Sequence, residues 1–301
     1  IELNLSSNLK KRRISGGEIN WTGGFYLLQN KVNTIFKSYE VGLVPWTFHF
    51  QLPKRMYLSL SLQNTLHFNS IDWNQLIFSD QINDYNSNIQ SSSISRPSLL
   101  NQNSYLDPSF GVLLTKHSTL NRKSNNTSFI GFAWHHIYPP FQSFYNNQSE
   151  ETRIPQKYTL HGQYIGAFND MISESFNFWK LSYRHSKQGS NAIQKDDIGL
   201  TLSFANSIQL EAGAFYRIAR QTLNEQNVTI LMNESITPMI RLRTGIGNNM
   251  GIELSYSYDY NISKLNNINS IATHEISLNL YYFSSKSNKV CPGHGSSGKD
   301  K

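Results

Sequence analysis

Two-residue alternation, repeated in segment after segment along the chain, restricts what this sequence can become. In MGIELSYSYDY, Met250, Ile252, Leu254, Tyr256, Tyr258 and Tyr260 fall on one face of an extended backbone, and Gly251, Glu253, Ser255, Ser257 and Asp259 on the other. HEISLNLYY repeats the rule, setting Ile276, Leu278, Leu280 and Tyr282 against Glu275, Ser277 and Asn279. One such strand would suit a soluble sheet with a single wet face. Repetition around the chain, with the apolar faces rimmed by Tyr, Trp or Phe, implies a wall that faces lipid.

Charge and hydropathy narrow this further. Charged residues make up 16% of the chain, against roughly 25% in soluble domains. Mean hydropathy is −0.45, and no apolar run approaches the roughly 18 residues of a membrane helix. Helical insertion is therefore excluded, and the fold expected is all-β: a transmembrane antiparallel β-barrel of a bacterial outer membrane. Aromatics at 13% supply interfacial girdles, while Asn, Ser, Gln and Thr suit a wet lumen and long loops. Residues 1–283 are expected to form that barrel and 284–301 a periplasmic tail. No secretory signal is visible at Ile1, so the sequence is expected to start downstream of one.

Strands are expected near 1–9, 17–30, 36–51, 55–68, 108–117, 126–138, 157–167, 174–186, 196–205, 208–219, 234–246, 249–260 and 272–283. Tight connections rich in Asn, Gly, Pro and Ser fall at 53–54, 121–125, 169–172, 205–207 and 247–248. Between them lie the longer ones, 69–107, 139–156, 187–195, 220–233 and 261–271. Short turns belong to the periplasm and long loops to the outside. Thirteen strands is an odd number, whereas a barrel with both ends periplasmic needs an even one. Either residues 1–9 are not a barrel strand or one strand precedes Ile1; the clean alternation of IELNLSSNL favours the second, for a total of about fourteen.

Charge on the polar face is the most informative site feature. Glu211, Arg217, Arg241, Arg243 and Glu253 lie on three consecutive strands with the same parity, and are expected to form a lumen network of ion pairs. Opposite signs side by side favour a plug over a conducting wall. The long loop holds Trp73, Phe78 and Tyr85, more apolar than a solvated loop requires, and Tyr138, Pro139, Pro140 and Phe141 form a rigid apolar rim. Either is a candidate extracellular contact for a partner protein, the alternative for the long loop being that it folds into the barrel mouth as a constriction. The tail carries Lys286, Lys289, Cys291, Pro292 and His294, expected to bind a periplasmic partner.

Other chemistry finds little support. His135 and His136 are adjacent, so in a strand they point opposite ways, and Cys291 with His294 lacks a second pair of ligands. His49, His67, His117, His161, His185 and His274 are dispersed, without a serine elbow or a paired-carboxylate motif. No enzyme activity, metal or cofactor is therefore expected. One cysteine rules out an intrachain disulfide framework. The net charge of +7 is spread along the chain, and Lys10, Lys11, Arg12 and Arg13 read as a solvated turn, so no nucleic-acid partner is expected.

Five stretches carry a family resemblance: GFYLLQNKV at 24–32, DPSFGVLLTK at 107–116, FIGFAWHHIYPPF at 129–141, EETRIPQKYTLHGQYI at 150–165, and YSYDYNISKLNNINSIATHEISL at 256–278. Together and in this order they resemble the PorP/SprF family of Bacteroidota outer-membrane proteins associated with type IX secretion and gliding motility. The family's usual N-terminal segment with its Asn-Pro-Ala motif is absent, and KSNKVCPGHGSSGKDK extends past the last strand. The resemblance implies a membrane anchor for the secretion apparatus, or a dedicated partner through which a large surface adhesin is exported and held. Its expected partners are type IX secretion or gliding envelope proteins, a secreted adhesin or surface lipoprotein, and outer-membrane lipid. A diffusion porin or small-ligand transporter is the alternative.

Overall fold

The structure, a computed structural model, describes residues 2–14, 17–32, 35–77, 81–83, 88–89, 102–121, 124–144, 152–167, 176–189, 194–205, 208–223, 228–246, 250–262 and 273–282. Its strands are β1 (Glu2–Ile14), β2 (Gly17–Val32), β3 (Phe36–Leu52), β4 (Met56–Ile71), β5 (Ile82–Asn83), β6 (Asn88–Ile89), β7 (Gln102–Asn121) and β8 (Ser124–His135). They continue as β9 (Lys157–Ala167), β10 (Phe176–Gln188), β11 (Gln194–Ala205), β12 (Ile208–Leu223), β13 (Val228–Ile246), β14 (Met250–Asn261) and β15 (Thr273–Tyr282). β5 and β6 pair with each other, and the other thirteen form one sheet whose order is chain order. The pairing is antiparallel at β1/β2 and from β10 through β15. Those thirteen strands run from 10 to 20 residues, and crossing a bilayer takes about 9–11.

The thirteen expected strands are these thirteen, with three ends misplaced by more than four residues. β1 runs on to Ile14, five residues past its expected end, so Lys10, Lys11, Arg12 and Arg13 pair with β2 and do not form the expected turn. β7 starts at Gln102 and β13 at Val228, each six residues before the alternating pattern begins. The β12/β13 ladder continues to Leu223↔Val228, well inside the loop expected at 220–233. Side-chain alternation reports a difference of solvent between the two faces, and it fades where both are wet. Backbone hydrogen bonding has no such requirement and carries the hairpin onward. At the β3/β4 turn, Lys54 and Arg55 both take positive φ, 59° and 57°. This is the twist a two-residue hairpin favours.

Burial is inverted relative to a protein dissolved in water. The most buried side chains are polar, including Ser203, Thr115, Thr65, Asp107, Asp196, Asp197 and Glu211, and among the described residues Ala219 is the one buried hydrophobe. Leu254 is 45% exposed, Leu278 60% and Ile276 73%. In β14/β15 these apolar residues face each other across the ladder, Leu254↔Leu278 and Tyr256↔Ile276, while Glu253↔Asn279 and Ser255↔Ser277 occupy the alternate face. Exposed rows of Leu and Ile would be costly in water and are neutral against hydrocarbon.

Two compact units divide the chain. The first comprises Ile1–His49, Leu60–Gly111 and Trp134–Lys157; the second comprises Phe50–Ser59, Val112–Ala133 and Tyr158–Lys301. Within the first, the Tyr26 ring lies over Gly42, where a Cβ would overlap it, and its hydroxyl reaches Thr65 Oγ1 at 3.1 Å. Within the second, the Phe215 ring covers its ladder partner Gly199 in the same way. Each pair seats a large ring on the polar face of a strand without distorting the ladder.

Candidate functional site

Strand parity gathers ten of the second unit's charges on one face. β10 contributes Lys180 and Arg184, β11 Lys195 and Asp197, β12 Glu211 and Arg217, β13 Arg241 and Arg243, and β14 Glu253 and Asp259. Glu211, nearly buried, accepts from Lys180 Nζ at 2.5 Å and from Arg241 Nη1 at 3.5 Å. Arg241 Nε also lies 3.5 Å from Glu253, which pairs with its ladder partner Arg243 and accepts from Asn279 at 3.3 Å. A run of alternating signs, Lys180, Glu211, Arg241, Glu253, Arg243, thus crosses four strands.

Further along the same face, Asp197 is held between Arg184 Nη2 at 2.5 Å and Arg217 Nε at 2.7 Å. Arg217 Nη1 reaches on to Asp259 at 3.4 Å, and Thr237 Oγ1 donates to that carboxylate at 3.2 Å. The ladder slips where Arg217↔Ser235 gives way to Ile218↔Asn233, leaving Glu234 as the extra residue of a bulge. Glu234 is re-aimed in this way, and it accepts from Lys195 Nζ at 2.8 Å. Beside Arg184, Asp197 and Arg217 lies a cavity of ≈ 390 Å³, also lined by Phe129, His161 and Phe215.

Four of the five charges singled out in the sequence, Glu211, Arg241, Arg243 and Glu253, therefore touch in one run. Arg217 does not meet Glu211, because the two lie six residues apart along β12 and Asp197 stands directly opposite Arg217. Sequence reasoning passed over Lys180, Arg184, Asp197 and Asp259. Their parity was the available signal, since each shares a face with small or polar neighbours, but register decides which charge meets which.

The first unit builds a different cluster. Asp107 on β7 is nearly buried, with His136 Nδ1 2.8 Å and His67 Nε2 3.8 Å from its Oδ2. His67 Nδ1 lies 3.7 Å from Glu40, and the Tyr105 ring stacks on the His67 ring at 4.6 Å. His136 follows the last residue of β8 with φ 55°, a left-handed conformation unusual for a side-chain-bearing residue. That reversal aims its imidazole at Asp107, which simple alternation with His135 did not anticipate. Among the described residues no three His, Cys, Asp or Glu side chains are placed to share a metal ion.

The expected loop contacts fall in the same unit. Trp73 sits in a single 3₁₀ turn, Trp73–Gln75, capped by Asp72, whose Oδ1 accepts from Asn74 N–H at 3.1 Å. Its ring meets Phe144 edge-on at 6.1 Å, joining the two loops. Phe78 and Tyr85 lie outside the described residues. Tyr138 is 70% exposed, whereas Pro140 is buried. Phe141 bridges to Arg153, whose guanidinium lies 4.2 Å above the Phe141 ring. Backbone bonds Gln142 N–H to Thr152 C=O and Ile154 N–H to Pro140 C=O, both 2.9 Å, fold this segment back on itself. Lys286, Lys289, Cys291, Pro292 and His294 are outside the described residues.

Residues 3–280 match the sequence model of one family, described as type IX secretion system membrane protein PorP/SprF. Among curated proteins the chain has no match.

Proposed function

We propose, from the premise that the chain belongs to the type IX secretion system membrane protein family PorP/SprF, that it works as a membrane-embedded holdfast. Membership makes it a protein of the bacterial outer membrane associated with type IX secretion. Within that frame the strands close into a barrel, and the polar face with its ion pairs lines and blocks the interior. The outer segments around Trp73 and 138–141 receive a secreted adhesin or its surface lipoprotein companion. Periplasmic turns and residues 284–301 grip secretion or gliding envelope proteins, and lipid surrounds the wall. The role is anchoring, without bond chemistry.

One observation supports this above the others: the fixed charges of β10–β14 are spent on one another. Glu211, Glu253 and Asp197 each hold two cations, whereas a conducting wall presents unpaired charge of a single sign to its ions. The porin reading is tested by planar-bilayer recording from pure protein, where the holdfast gives no sustained single-channel current. Deleting the gene should strip one or more large proteins from the cell surface. An unchanged surface proteome with unchanged gliding would overturn the anchoring role. A pull-down from intact envelopes with and without residues 286–301 identifies what the tail holds.

A further inference from the structure

One cluster of charge in the second unit lies on the wrong face. Asp196 has the parity of the lipid-facing residues Ile198 and Leu200, which are exposed, yet its own side chain is nearly buried. Three donors cover it. Tyr183 Oη donates to Oδ1 at 2.8 Å, the His185 imidazole Nδ1 lies 2.9 Å from the same oxygen, and Arg220 meets Oδ2 through Nε at 3.0 Å and through Nη2. Tyr183 and His185 share the face of exposed Leu181 on β10, and Lys187 stands two residues further along it. The apolar row of Leu181, Leu200 and Ile198 runs up to two residues, about 7 Å, below Asp196.

The cluster also has a fixed end of the membrane. β11 to β12 and β13 to β14 are joined by the short turns after Ala205 and Ile246, and short turns are periplasmic. His185, Lys187, Asp196 and Arg220 lie at the opposite ends of their strands, level with the outer leaflet. A charge on the lipid face is costly at mid-bilayer and nearly free at the interface. Tolerance alone would leave scattered lysines. Here a single carboxylate is held by one permanent cation, an imidazole and a phenol, with Lys187 on the same face of β10, and the Arg220 side chain, pinned by its Nε edge, remains 45% exposed with Nη1 outside that pair.

We propose that Arg220 and His185, held in place by Asp196, form together with Lys187 on the same face a binding site for the phosphate of an outer-leaflet lipid headgroup. A pinned guanidinium presents a planar pair of donors that suits a phosphate. The apolar wall below receives the acyl chains of the same molecule, and basic pockets at membrane level commonly hold anionic headgroups. The proposal rests on the outer-membrane placement of the strands and not on the anchoring role, so surface-proteome results leave it untouched.

The test uses the full chain in phosphatidylcholine nanodiscs, titrated with fluorescent bisphosphorylated lipid A, with dephosphorylated lipid A and inorganic phosphate as separate arms. Arg220→Gln is expected to weaken binding by about tenfold or more, the scale of one charge-assisted hydrogen bond. Lys187→Gln, which disturbs none of the contacts to Asp196, is expected to weaken it in the same direction, with the heat-modifiable gel band retained. Dephosphorylated lipid A should not bind, and inorganic phosphate should not compete at matching concentration. Equal affinity of Lys187→Gln and the unsubstituted chain, or equal binding of dephosphorylated lipid A, overturns the proposal. Full competition by inorganic phosphate would make this a free-anion site and overturn the lipid assignment.

Discussion

The two compact units solve the same problem, burying carboxylates on the polar face of a sheet, with different cations. In the second unit, Asp197, Glu211 and Glu253 face arginine and lysine, whose charge is permanent, across directly paired strands or, for Lys180 and Glu211, across one intervening strand. In the first unit, Asp107 faces His67 and His136, which are charged only when protonated. The first arrangement is a strut: its strength depends on geometry alone. The second is conditional, and it ties β7 to the residue that launches the 137–156 segment. On the polar face, permanent pairing thus accompanies the strands β10–β14, and conditional pairing accompanies the start of the 137–156 connection.

Substitutions can break or sharpen this contrast. The largest effect is expected from Asp197→Ala, which removes the shared partner of Arg184 and Arg217 and should cost about 2–4 kcal/mol, the scale of two hydrogen bonds to charged groups discounted for the exposure of Arg184. Urea titration of the detergent-folded protein measures it, and a loss no greater than that of Asp107→Ala would erase the distinction. Next come Gly199→Ala and Gly42→Ala, each about 1–3 kcal/mol because a methyl group must displace the Phe215 or Tyr26 ring. Adding Phe215→Leu to Gly199→Ala should recover part of the loss in the same titration. Asp107→Asn should cost about 1 kcal/mol, a single hydrogen bond's worth, while speeding proteolytic nicking within 137–156. If nicking is unchanged, the first unit's cluster does not restrain that segment. The smallest effect is expected from Arg153→Ala, about 0.5–1 kcal/mol from the lost cation–π contact with Phe141, read as a small drop in thermal midpoint.

The strands were legible because membrane strands obey a rule written in every second residue. Met250 through Tyr260 and Ile276 through Leu280 could be assigned to faces with no knowledge of their neighbours. Part of the charge network was legible for the same reason: Glu211, Arg241, Arg243 and Glu253 share parity on consecutive strands. Lys180 was not, because its carboxylate, Glu211, lies 31 residues further on and across an intervening strand. His136 was invisible as well, since parity with His135 sends it the other way and only a left-handed φ of 55° brings it to Asp107. Alternation sends the carboxylates of Asp196 and Asp197 to opposite faces, but register alone brings Tyr183, His185 and Arg220 onto Asp196, so its role was missed.

By itself the sequence determined that this chain is a series of antiparallel strands whose two faces meet different solvents, and which residues belong to each face. Those facts follow from local geometry, because side chains alternate along any extended backbone. Only the tertiary structure decided which charges pair, where the β13 bulge re-aims Glu234, and how His67 and His136 converge on Asp107. Each of these depends on register between strands far apart in the chain, and a slip of one residue would move every side chain of a strand to the other face.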